Sequence, residues 1–341
     1  MPDDPVTPTA PRTMQCMEVW GGNGAGDNGV TMPGLDAWVF ARPYEGQAEG
    51  GDIHYVSSCG TGRISRLLVA DVSGHGRQVA ELATALRNMM RRYVNYMDQT
   101  SLVERMNREF SALEQSGRFA TAVVATYWAP TDYLVACNAG HPPPIAYSGR
   151  YGAWQALRDT PEGDRTPGGP ANLPLGVIDD SRYEQFAVRL RTGDLVVFYS
   201  DALIEAMLPD GRQLGEAGLL ESARTLDPGD GASFARRLYA EVVRRCGGIE
   251  PKDDVTILVM RPNGLKPRPT LGQRFGSPLR FLSRLAARVR RGSAPVPWPE
   301  VRLENLLGPF STRINERWGR GAPGLRSERG GSSPPDGATR T

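Results

Sequence analysis

Ile64-Ser65-Arg66-Leu67-Leu68-Val69-Ala70-Asp71-Val72-Ser73-Gly74-His75-Gly76 runs from an apolar stretch into an acid and then into a loop with two glycines. The first seven residues read as a buried strand, and a helical pattern begins near Arg77. Asp71 therefore stands where a strand ends. A carboxylate placed there is held rigidly and still reaches a surface cleft. Gly74 and Gly76 let backbone approach whatever the acid binds. The competing reading is a capping turn, since Asp or Ser before a helix is commonly structural.

Three further acids occupy similar settings. Gly50-Gly51-Asp52 leads into a strand over 52–58, Asp201 follows an apolar strand over 195–200, and Asp253-Asp254 opens a strand over 255–260. Four carboxylates in one cleft repel one another unless cations neutralise them. With three histidines and no clustered cysteines, oxygen ligands dominate, which suits Mg²⁺ or Mn²⁺ and not zinc. Two such ions about 3.5–4 Å apart can share a bridging water and present it for in-line attack on phosphorus.

Outward from these acids, residues 77–97 carry a 3.6-residue apolar period, and 101–114 form a second helix. Strands are predicted over 35–41, 119–128, 133–137, 144–147 and 185–190, and helices at about 216–226 and 231–246. Strands and helices come in runs and do not alternate strictly, which favours antiparallel sheets with helices outside. Residues 1–34 read as a flexible lead-in. Their Gly21-Gly22-Asn23-Gly24-Ala25-Gly26-Asp27 run lacks the lysine of a phosphate loop. Residues 158–172 read as a polar surface loop.

The chain has 341 residues and is 40% apolar, enough for a substantial core. Its four cysteines, Cys16, Cys59, Cys137 and Cys246, are widely separated, which fits a reducing cytoplasm. No 18-residue apolar run is present, and Met1-Pro2-Asp3-Asp4-Pro5 lacks the features of a secretion signal. From Pro262 onward there are 15 Lys and Arg against 5 Asp and Glu; the preceding residues hold 25 basic and 33 acidic. A basic tail, 262–341, mostly disordered by composition, follows an acidic body. Within it, 279–291 place Leu279, Leu282, Leu285 and Val289 on one side and five arginines (280, 284, 288, 290, 291) around the rest. That is a basic amphipathic helix, open to docking on the body, an anionic membrane or an acidic partner. No nucleic-acid partner is expected.

Six motifs occur in order: Gly50-Gly51-Asp52; Ala70-Asp71-Val72-Ser73-Gly74-His75-Gly76; Asn138-Ala139-Gly140-His141-Pro142-Pro143-Pro144; Leu173-Pro174-Leu175-Gly176; Gly193-Asp194-Leu195 with Tyr199-Ser200-Asp201-Ala202 and Glu205-Ala206; and Asp253-Asp254-Val255-Thr256. Over residues 35–261 the chain resembles the metal-dependent protein phosphatases of the protein phosphatase 2C fold, in their bacterial sporulation stage II E-type branch. The resemblance implies an α+β fold of two packed antiparallel β-sheets flanked by helices. It implies hydrolysis of phosphoserine or phosphothreonine by metal-bound water, with two Mn²⁺ or Mg²⁺ ions and no phosphoenzyme. By position, Asp71 would bridge both ions with the Val72 carbonyl beside it, Asp52 would hold the second ion, and Asp201 and Asp253 the first. Asp254 would stand behind them. The substrate implied is a phosphorylated bacterial regulatory protein, such as an anti-sigma-factor antagonist, met in the cytoplasm or at the membrane periphery. No sensor domain is expected in the short N-terminal stretch.

Two departures and three histidines qualify the resemblance. Ser200-Asp201-Ala202 stands where the family usually has Thr-Asp-Gly; if that glycine needs positive φ, alanine costs about 1 kcal/mol. The phosphate-binding arginine of eukaryotic relatives has no obvious counterpart. His75 reads either as the acid that protonates the leaving oxygen or as a turn histidine. His141 reads as structural, and His54 shares a strand face with Asp52. The alternative function is a binding-only pseudophosphatase working through the tail.

Overall fold

Arg66 to Ala70 lie in the middle of a sheet with both faces covered, which is why the stretch is apolar almost throughout. Leu67 and Val69 join one core cluster, while Leu68 and Ala70 join another, the period-two alternation of a strand. The computed structural model describes residues 11–14, 18–59, 62–74, 77–93, 96, 98–114, 117–158, 171–266 and 325.

The elements run in chain order as β1 (Arg12–Thr13), β2 (Val19–Gly22), β3 (Gly26–Met32), β4 (Leu35–Arg42), β5 (Asp52–Ser58), β6 (Ile64–Val72), α1 (Arg77–Arg92), α2 (Gln99–Leu113), β7 (Ala120–Trp128), β8 (Tyr133–Ala139), β9 (Ile145–Ser148), β10 (Ala153–Ala156), β11 (Gln185–Arg189), β12 (Leu195–Tyr199), α3 (Ala202–Glu205), α4 (Gly215–Arg224), α5 (Gly231–Arg245) and β13 (Val255–Pro262). They build two sheets. One has the order β11-β8-β7-β6-β5-β2, the other β1-β3-β4-β13-β12-β9-β10. Among the described residues every ladder is antiparallel except the short β1–β3 pair.

Val56, Leu67 and Val123 of the first sheet pack on Val39, Phe198 and Leu258 of the second, forming the inter-sheet core. Helices α1 and α2 cover the outer face of the first sheet through Leu86, Met90, Leu102 and Met106. Helix α5 covers the second with Phe234, Leu238 and Val242. The fold is the expected α+β sandwich of two sheets flanked by helices. Each fully buried Leu, Val or Phe contributes about 1.5–3 kcal/mol, so the two-sided burial of β6 and β13 anchors the strands that end at the acids.

The structure corrects the reading of residues 1–34 as a flexible lead-in over the part it describes from Val19 to Met32. β3 pairs along its whole length with β4, and β2 pairs with β5. The glycines hid these strands, because glycine has low strand propensity and gives no apolar alternation. At Gly21 the reason for glycine is steric: φ is +146°, and a Cβ there would stand 2.2 Å from the His54 carbonyl oxygen. β10 and the one-turn α3 also went unpredicted. The helix expected at 279–291 lies outside the described residues. Leu325, from the same tail, is buried with the inter-sheet core. No helix among the described residues is long and apolar enough to cross a membrane.

Candidate metal centre

The four acids meet at one end of the sandwich. Asp52 opens β5 and Asp71 nearly closes β6, and the antiparallel register sets them directly opposite each other. From the other sheet, Asp201 follows β12 and Asp253-Asp254 precede β13. These two strands are neighbours, and the Ser200 N–H donates to the Thr256 carbonyl at 2.9 Å. Each sheet thus delivers its carboxylates from two adjacent strand ends.

Their electrostatics record the proximity. Burial pushes the Asp71 carboxyl up to about 7, aided by the charges of Asp201, Asp253, Asp254 and Glu205. Burial also raises Asp201 to about 6, with Glu205 and Asp253 adding to it. Asp52 is held well above the usual carboxylate range by burial and then by Asp71, while hydrogen bonds to Ser200 and Thr256 pull the other way. Glu205 sits one helical turn after Asp201, its N–H donating to the Asp201 carbonyl at 2.9 Å. Its place in the Glu205-Ala206 motif was the signal for its membership; no role was read from it.

Backbone closes the site. A Cβ on Gly51 would stand 3.0 Å from the Val72 carbonyl oxygen, 2.9 Å from Val79 Cγ1 and 3.5 Å from Asp71 Oδ1, so the Gly51 chain lies flat against the Val72 carbonyl. Asp254 ties down the neighbouring loop. Its carboxylate accepts from the Gly51 N–H at 2.6 Å and the Tyr44 N–H at 2.7 Å, pinning the loop before Asp52. The Asp254 N–H in turn donates to Asp253 Oδ1 at 2.7 Å. Asn23 adds a second pin: its Nδ2 donates to the Gly50 carbonyl and its carbonyl accepts from the Gly50 N–H. No feature of the glycine-rich 21–27 stretch pointed to that role.

Ala202 carries no strain. It opens α3, and it is not among the positive-φ residues of the described chain, which outside glycine are Glu45, Asp132 and Asn172. The hydroxyl of Ser200 accepts from the Thr256 N–H at 2.9 Å and lies 3.2 Å from the Asp254 carbonyl, to which it can donate. His54 is buried against Trp20, with ring centroids 5.6 Å apart, and burial lowers its pKa to about 4. His141 is buried too, lowered to about 4, and bonded through both ring nitrogens. His75 lies outside the described residues.

The residues fit divalent cations. Asp52 Oδ2 is buried without a hydrogen-bond partner, and Asp71 is raised by burial and by the charges of the acids around it. Both features disappear when cations compensate the charge. Among the described residues no three His, Cys, Asp or Glu side chains group closely enough to hold one ion by themselves. Mg²⁺ does not demand that, since it keeps several waters and takes one or two carboxylates.

Residues 62–263 match the family model of stage II sporulation protein E. The chain belongs to the stage II sporulation protein E family. The matched segment contains Asp71, Asp201 and Asp253 and begins after Asp52. Phosphoserine phosphatase RsbU of Bacillus subtilis (strain 168) is 23% identical over 235 residues, 67% of this chain and 63% of that protein. Stage II sporulation protein E of the same strain is 33% identical over 92 residues, 27% of this chain and 11% of that one. The chain therefore spans less than two thirds of either curated relative. Among solved structures, the RsbU and RsbW domains of a Mycobacterium tuberculosis protein superpose with a TM-score of 0.55 at 24% identity, covering 76% of this chain and 69% of that one. The PP2C phosphatase domain of the Bacillus subtilis sporulation protein, with a regulatory fragment, gives 0.52 at 18%, covering 73% and 64%. These likenesses show the two-sheet fold.

Proposed function

We propose that the chain is a Mn²⁺- or Mg²⁺-dependent phosphatase that removes phosphate from serine or threonine of a bacterial regulatory protein, in the cytoplasm. The observation that carries this reading is that Asp52 and Asp71, register partners on one sheet, meet Asp201 and Asp253 from adjacent strand ends of the other, whose charges help to raise Asp71. Two divalent ions held there would supply charge neutralisation at phosphoryl oxygens and a more acidic water. Asp52, Asp71, Asp201, Asp253 and the Val72 carbonyl would hold the ions, with water completing the coordination. Asp254, Asn23 and Gly51 hold the loop that presents Asp52. Catalysis in such a site is positioning and electrostatics, so the protein contributes rigidity more than covalent chemistry. His75 is assigned as the donor to the leaving oxygen.

An anti-sigma-factor antagonist is the substrate class proposed, as the family resemblance implies; the likeness to a phosphoserine phosphatase supports phosphoserine as the group attacked. The pseudophosphatase reading rests on Ala202 and the basic tail; the helical geometry at Ala202 weakens the first, and the helix expected in the tail lies outside the described residues. The test is turnover of a generic aryl phosphate by the full chain. Activity should appear with Mn²⁺, vanish with chelator and fall by about a hundredfold or more in Asp71→Asn. Metal binding with no turnover would overturn the reading.

A further inference from the structure

One side chain beneath the acids touches both sheets. His141 follows β8, and Asn138 grips its backbone twice: Oδ1 accepts from the His141 N–H and Nδ2 donates to the His141 carbonyl, each at 2.8 Å. Pro174 fills the space where a Cβ on Gly140 would stand, fixing the turn from the other side. The ring is therefore aimed, and both nitrogens are engaged. Nε2 lies 3.0 Å from the Tyr199 carbonyl, which only accepts, so Nε2 carries the proton. Nδ1 is then bare and accepts from the Thr121 hydroxyl at 2.7 Å.

The two partners are placed where they matter. Thr121 on β7 is the register partner of Asp71. Tyr199 ends β12, two residues before Asp201. A run of two hydrogen bonds therefore spans the gap between the sheet that presents Asp71 and the sheet that presents Asp201. The like charges at those strand ends push the sheets apart, and this link opposes them. With both nitrogens committed and the ring buried, His141 does not reach a substrate.

We propose that His141 is a positioning residue, a cross-sheet clamp that with Thr121 and the Tyr199 carbonyl sets the spacing of Asp71 and Asp201 for divalent cations. It rests on the metal-centre reading given under Proposed function. Outer-shell partners of this kind typically change metal affinity by about 10–100-fold when removed.

The test is calorimetric titration of the full chain with Mn²⁺, beside thermal unfolding in chelator. Thr121→Val removes the donor at a half-buried position, Thr121→Ser keeps it, and His141→Gln removes the ring. Thr121→Val and His141→Gln should bind Mn²⁺ about tenfold or more weakly, Thr121→Ser should match the wild type, and the double variant should be no weaker than the worse single one. A purely structural role would lower the metal-free melting temperature and leave affinity unchanged, and that result overturns the clamp. If His141→Gln does not fold, the Thr121 pair decides alone. A wild-type chain that binds no Mn²⁺ overturns the metal centre itself, and the clamp with it.

Discussion

Asp71 is placed where a carboxylate is disfavoured unless something positive joins it. Its folded pKa of about 7 lies above the ordinary value of 3.8, so the folded state holds the proton more tightly than the unfolded one. Above pH 7 the group is charged in both states, and the folded state carries the cost, about 1.4 kcal/mol for each unit of difference. Asn keeps the shape and removes the charge. Asp71→Asn should therefore raise the melting temperature of the metal-free chain at pH 8 by several degrees, with little gain at pH 4, while abolishing metal-dependent turnover. Unfolding scans in chelator check this, and a lowered melting temperature at pH 8 would contradict the shared cleft. Ala202 gives the opposite kind of residue prediction. Because it begins a helical turn, restoring glycine should bring no activity and should cost about 0.5–1 kcal/mol of stability, read by urea unfolding.

At the scale of elements, the parts legible in the sequence were those with strong apolar patterns. β5 was predicted over its observed span, and β6, α1, α2, α5 and β13 were found within a few residues, since their burial depends on contiguous Leu, Val, Ile and Met. The acids were visible for the same reason: a charged residue at the edge of a buried run stands out. β2 and β3 were not visible, because their hydrogen-bond partners lie on β5 and β4 and their own residues are largely glycine and polar. Asn23, Glu205 and the Thr121–His141 link belong to the same class. Asn23 and the Thr121–His141 link act through residues far away in sequence, and no local pattern announces them; Glu205 lies in a local motif that carries no sign of its role. Gly51 shows how such contacts constrain an element. Gly51→Ala would drive a methyl group against the Val72 carbonyl and Val79, so the end of β6 must shift. It should cost about 1–3 kcal/mol of stability and, if the Val72 carbonyl serves the ions, about tenfold in Mn²⁺ affinity, measured by unfolding and by calorimetry.

For the whole molecule, two sets of buried groups pull stability in opposite directions with pH. His54 and His141 have folded pKa values of about 4 against 6.5 unfolded, so the stability they contribute is full above 6.5 and lost as pH falls toward 4. Asp71, at about 7, and Asp201, at about 6, are raised, so what they contribute is full below 3.8 and lost as pH rises through 6 and 7. Below 6.5 the two sets largely offset each other. Between pH 6.5 and 8 the histidines are neutral in both states and only the acids act. The metal-free chain should therefore become less stable across that interval, by no more than about 1.4 kcal/mol per pH unit for each proton involved. Saturating Mg²⁺ should bind the deprotonated folded state, so it should flatten the slope and add about 2.7 kcal/mol for each ion bound at a hundredfold excess over its dissociation constant. Urea unfolding at pH 6.5, 7.2 and 8, with chelator and with Mg²⁺, makes the comparison. A metal-free stability that holds level or rises over this interval would mean that the strand-end carboxylates do not share one site, since no other pair of described acids with raised pKa values faces each other across the two sheets.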